Sequence, residues 1–485
     1  MQSALDGLLH DAASVYRFVD FIEQYCAEQL VTQSYVKASA SFFREISKLA
    51  KATKTYLSES IAAKAVERAN AERDEDLDAA WYQNRRDALI TVKDVWKELQ
   101  GYVKPVADAH TLRVPAALVD LATSQLKAIP TMADASIAVL LTPQLNYFQT
   151  SHTNLNVAAA ALKRKIGIRP PPGPEDAETP RIGFVELPYS QGPSFFTNLL
   201  LYHELGHYVF EELYPEEHGQ SNPISEAAEV ALKEEYGRKF THMPRYKRAG
   251  AISLVSSWAQ EVFCDLFAIR LIGPALSFST IEMFSLVGLL TPVNSLKFTP
   301  THPAPASRLC QHREQLVEDG WWNEVKTLDC EQKLLMERMA QVPTSEYRFY
   351  ADEVVAARDQ RTISAYLRVL PKIRKLVNEI IPPTNSELTA FRRERKDIAE
   401  CFMHGIVPSR LVRRRKIVPA HPVAVINAAF CFYLSSMSRL IKTLQDQSPD
   451  KVKHRAHWTR RLEMWTIKAI EDFQLLDATN VGTNN

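Results

Sequence analysis

The sequence predicts a mainly α-helical chain with a small β contribution (α+β), and three observations carry that expectation. The 485 residues include 15 glycines against 27 prolines, which favours helices with firm punctuation over tight hairpins. Apolar residues in the first hundred positions recur three and four apart, the period of packed helices. A strand signature is confined to short runs, chiefly RIGFVEL between Pro180 and Pro188.

The elements follow in order. Leu5, Leu8, Ala12, Val15, Val19, Ile22 and Cys26 form one seam, and Phe42, Ile46, Leu49, Thr53 and Tyr56 a second. Two such helices are expected to pack antiparallel. The stretch NAERDEDLDAA reads as a charged helix surface or turn. Residues 1–125 are therefore expected to form a helical N-terminal region, structural or partner-binding. The pattern changes from about residue 135. ASIAVLLTPQLNYF is apolar, LNVAAAALKRK is helix-like, and IRPPPGPEDAETP must be a surface loop. A short strand over 182–187 precedes a further helix. Beyond residue 325 helical patterns return, punctuated by Pro382 and Pro383, so 326–485 is read as a helical C-terminal region.

Composition excludes several classes. Hydrophobic content of 46%, charged content of 24% and a net charge of +1 describe an ordinary soluble chain without a field for nucleic acid or anionic lipid. The six cysteines form no CxxC pair, so neither a zinc ribbon nor a disulfide framework is expected, and a reducing cytoplasm fits. The N-terminus lacks a signal peptide's basic start and apolar core. VAVINAAFCFYLSSMSRLI, residues 423–441, contains Asn427 and three serines and is read as a buried core helix, not a membrane span. FRRERK (391–396) and RLVRRRK (410–416) are read as solvated helix faces or interdomain contacts, not nucleic-acid sites. Trp458, Trp465 and Phe473 have core-packing spacing.

LLLYHELGHYVFEEL, residues 199–213, sets two histidines and a glutamate inside an apolar helix. Four apart on a helix, His203 and His207 can aim their rings at one point. This is the H-E-x-x-H arrangement of zinc metallopeptidases, with Glu204 placed to act on a water without ligating the ion. Leu205 and Gly206 are uncharged, and a buried Glu204 needs a partner. One helix cannot complete the coordination. The metzincin extension requires Gly at 210 and His at 213, where the chain has Phe210 and Leu213. His218 and His242 are weak alternatives in loops. SSWAQEVFCDLFAIRLIG, residues 256–273, is the better source: Glu261 can ligate, and Asp265, one turn on, can accept the free N–H of a ligating histidine. Cys264, between them, is read as a core thiol facing elsewhere.

HELGH followed by an ExxxD helix resembles the gluzincin metallopeptidases. THPAPASRL, residues 301–309, is similar to the HP-x(4)-R segment of CAAX-type and HtpX-type endopeptidases. The resemblance covers residues 180–320 or so and implies a zincin-like metallopeptidase domain with a small sheet over 126–325. It implies a zinc-dependent endopeptidase in which His203, His207 and Glu261 bind Zn2+ and Glu204 is the catalytic base. Asp265 would orient a ligand, His302 would sit near the oxyanion, and Arg308 would support the site. Thr301 and Pro303 also read as a plain helix start. Two departures stand out: those relatives are commonly membrane-embedded, and a long insertion separates His207 from Glu261. The expected substrate is a protein or peptide, with strand 182–187 offering an edge to it. A regulatory protein partner could act through the helical flanks. The competing reading is a non-catalytic interaction protein with a structural or vestigial zinc.

Overall fold

A computed structural model describes residues 2–32, 37–70, 75–109, 115–133, 135–142, 148–150, 162, 182–188, 194–214, 222–349, 360–413, 416–447 and 455–482. The chain is mainly helical, with short strands, and divides into two compact units, Met1–Gly192 and Pro193–Asn485.

In the first unit both seams are buried. Helix Gln2–Thr32 buries Leu5, Leu8, Ala12, Val15, Val19, Ile22 and Cys26, and helix Lys37–Thr55 buries Phe42, Ile46, Leu49 and Thr53. Each large aliphatic removed from water contributes about 1.5–3 kcal/mol, which a polar seam would not supply. The helices run antiparallel: Lys54 Nζ meets Asp20 Oδ1 and Glu23 Oε2, each at 2.7 Å. Thr53 is the polar exception in its seam. Its hydroxyl donates to the Leu49 carbonyl at 2.8 Å and accepts the indole N–H of buried Trp96 at 3.2 Å, from helix Glu75–Ala109.

The sheet of this unit has the order β1 (Ser136–Thr142), β3 (Ile182–Pro188), β2 (Phe148–Thr150). The expected strand is present, but it is central. β1 pairs with it in parallel along its whole length, and β2 pairs antiparallel across Phe184–Glu186. With both edges taken there, β3 does not offer the free edge expected for a substrate. LNVAAAALKRK, apart from buried Leu162, and IRPPPGPEDAETP lie outside the described residues.

The second unit is organised around the long helix Arg245–Ile272. It packs against helices Leu201–Leu213, Pro223–Tyr236, Pro305–Glu318 and Gln360–Ile380. By length and composition alone this helix could cross a bilayer, yet 72% of its most apolar stretch is buried against the chain, as in a core helix. Helix Pro422–Ser435 is also core. Its Asn427 is satisfied internally, accepting the Ala275 N–H at 3.0 Å and donating to the Ile272 and Val423 carbonyls at 2.9 and 2.8 Å. The basic cluster at 391–396 is tied down locally: Arg392 and Arg395 both pair with Glu324. Part of the second cluster, Arg414 and Arg415, lies outside the described residues.

Candidate metal centre

HELGH occupies the first two turns of helix Leu201–Leu213, with Tyr202, Leu205, Tyr208, Val209 and Phe210 burying its flanks. Opposite lie Glu261 and Asp265 of Arg245–Ile272. Gly206 permits the approach. A Cβ at 206 would fall 2.6 Å from the Cys264 Cα, so a larger residue would push the helices apart.

The two imidazoles converge on one carboxylate. His203 Nε2 lies 3.4 Å from Glu261 Oε2, and His207 Nε2 lies 3.4 Å from Glu261 Oε1. A hydrogen bond would close to about 2.9–3.0 Å. Donors around one tetrahedral zinc, each about 2.0–2.1 Å from it, stand about 3.3–3.4 Å apart. Glu261 Oε2 is buried without a hydrogen-bond partner among the described residues, although Arg308 Nη1 stands 3.3 Å away. A buried carboxylate oxygen without a hydrogen bond is costly unless a cation lies close, and the Arg308 guanidinium is one. His203 and His207 belong to a group that could hold a metal ion.

Asp265 is held from several sides. His203 Nδ1 is 2.8 Å from Oδ1, and Arg308 grips both oxygens, Nη2 to Oδ1 and Nε to Oδ2, each at 2.7 Å. Burial alone would raise the Asp265 pKa, but Arg308 and His312 hold it well below the usual carboxylate range. Burial would likewise lower His203, yet Asp265 and Glu261 outweigh it and raise its pKa to about 10. Glu204 is buried beside the first histidine, and desolvation pushes its carboxyl upward.

His302 reaches the same place from a loop. Its Nε2 is 3.7 Å from Glu261 Oε2, and its side chain is 55% exposed. Several contacts set the loop: Trp258 of the long helix donates to the Thr299 carbonyl at 2.7 Å, the His302 N–H donates to the Thr299 hydroxyl at 2.9 Å, and the Thr301 hydroxyl meets His302 Nδ1 at 2.8 Å. The helix expected to start at Thr301 begins at Pro305 instead, with Ala304 as its N-cap. His203, Glu204, His207, Glu261, Asp265, His302 and Arg308 therefore lie together or in contact, whereas His242 ends the helix Arg238–His242 and is exposed. His218 lies outside the described residues.

Two neighbours escaped the sequence reading. Cys264 does not face away: its Sγ and ligand nitrogens of His203 and His207 lie within 4.8 Å of one another, a group that could hold a metal ion. The close helix contact at Gly206 brings it there. Burial, with Glu261, Glu204 and Asp265 nearby, pushes its thiol well above the ordinary value in the metal-free chain. The other is His312, fully buried, with Nε2 3.0 Å from Asp265 Oδ2. Its signal was its position one turn beyond Arg308. No protein-family model, curated protein or solved structure matches this chain.

Proposed function

We propose that this chain is a zinc-dependent endopeptidase of gluzincin type, with a zincin-like catalytic region around the HELGH and ExxxD helices. One observation carries the reading: the Glu261 carboxylate straddles the Nε2 atoms of His203 and His207 at 3.4 Å on each side, with one oxygen buried and, among the described residues, without a hydrogen bond. Two imidazoles and a carboxylate suit zinc and leave a position open for water. When bound, zinc would acidify that water and polarise the scissile carbonyl.

The chain's own residues supply the rest. His203, His207 and Glu261 hold the ion. Glu204 takes the proton of the attacking water and passes it to the departing amine, a role suited to a carboxyl whose pKa burial has raised. His302, on the exposed rim, donates a hydrogen bond to the oxyanion. Asp265 fixes the His203 ring through Nδ1, and Arg308 fixes Asp265. The substrate is a protein or peptide, the compartment is the cytoplasm, and a regulatory protein acts through the helical flanks.

The test is Glu204→Gln. The variant should keep zinc and lose peptide cleavage, and new protein N-termini found in cells with the wild type should be missing with the variant. Cleavage at the wild-type rate would remove the assignment. A second reading has its own observation, the closeness of Cys264. A thiolate there would make four protein ligands and a closed, structural site. Cobalt substitution separates the two, because a thiolate ligand adds a sulfur-to-metal charge-transfer band in the near ultraviolet. The catalytic reading expects that band to be absent.

A further inference from the structure

We infer that His312 is a positioning residue of the metal centre, holding Asp265 so that the His203 ring faces Glu261. The inference rests on the metal-site reading above and deepens it.

Three helices each bring a polar pair spaced four residues apart: His203 and His207, Glu261 and Asp265, Arg308 and His312. The third pair closes on the second. Arg308 Nε and His312 Nε2 both face Asp265 Oδ2, at 2.7 and 3.0 Å. Oδ1 is left to His203 Nδ1 at 2.8 Å and Arg308 Nη2 at 2.7 Å. Asp265 is 1% exposed and His312 0%, so no water competes from outside.

His312 is expensive where it stands. Its Nε2 lies 3.0 Å from Oδ2, yet neither ring nitrogen has a hydrogen bond among the described residues. A buried polar group in that condition is destabilising. An apolar side chain of similar size would fill the space without that cost, so packing does not account for the imidazole. Its use is directional. Arg308 grips both oxygens of the carboxylate, and the His312 contact at 3.0 Å on Oδ2 adds a second restraint on rotation of the carboxylate about its own axis. That rotation would swing Oδ1 away from His203 Nδ1 and release the ring that presents Nε2 to Glu261.

The experiment compares His312→Leu, which keeps bulk and removes the donor, with His312→Gln, which keeps an N–H donor. Each full-length protein is loaded with zinc, and the rate of transfer to a chromogenic chelator is measured. Melting of the zinc-free proteins is followed in parallel. Outer partners of metal ligands typically matter by about 10–100-fold in metal affinity. His312→Leu should release zinc faster by a factor in that range, and His312→Gln should recover most of the loss. Wild-type release from His312→Leu would overturn the inference while leaving the metal site intact. Equal loss in both variants, tracking their melting, would also overturn it, because bulk and not the donor would then be what matters. If the wild-type protein itself retained no zinc, the underlying reading would fail and this one with it.

Discussion

The two units use the same helical spacing for opposite ends. In Met1–Gly192, residues three and four apart on Gln2–Thr32 and Lys37–Thr55 are apolar and bury one another. In Pro193–Asn485, residues four apart on three helices are charged or imidazole, and all but the half-buried His207 are buried. An apolar seam is stable by removing area from water and tolerates volume-conserving exchange. A buried polar cluster is stable only while every member is paired, so it is intolerant of single losses. The first arrangement is an architecture. The second includes a group that could hold a metal ion.

The comparison is broken most severely at the polar cluster. Glu204→Gln should reduce peptide turnover about 10²–10⁴-fold, the usual contribution of a positioned acid–base group, with zinc content unchanged. Glu261→Ala should weaken zinc by more than the roughly 10–100-fold expected of an outer partner, seen as metal lost on dialysis. In the apolar seam, Ile46→Ala should cost about 2–5 kcal/mol of stability in denaturant titrations. Zinc per folded chain should not change, and a parallel loss of zinc would show that the two units are not independent in this respect.

Smaller effects sharpen the contrast. Gly206→Ala should cost about 1–3 kcal/mol and also weaken zinc, because the added carbon meets Cys264 backbone that must move with the whole helix. A stability loss without any metal effect would mean that close helix approach does not set the site. Arg392→Ala removes a half-exposed partner of Glu324, so a change of at most about 1 kcal/mol is expected in thermal melts.

Period and chemistry together made much of this visible in the sequence. The seams were legible because a heptad repeat depends only on local spacing, and every seam residue from Leu5 to Tyr56 is buried. HELGH and ExxxD were legible because one turn of helix aligns each pair. What spacing cannot give is how closely two helices approach. Gly206 was read only as uncharged, although its missing side chain sets the separation and draws in Cys264. Strand pairing was hidden for the same reason: RIGFVEL announces a strand, but its central place depends on β1 and β2, distant in sequence. His312 was overlooked because its partner, Asp265, lies on another helix.

Zinc K-edge absorption of the zinc-loaded, full-length chain tests the central claim most directly. Nitrogen and oxygen donors alone at about 2.0–2.1 Å, with imidazole scattering from two rings and one donor lost in Glu261→Ala, is the result expected. A sulfur shell at about 2.3 Å, or a spectrum unchanged by Glu261→Ala, would contradict it.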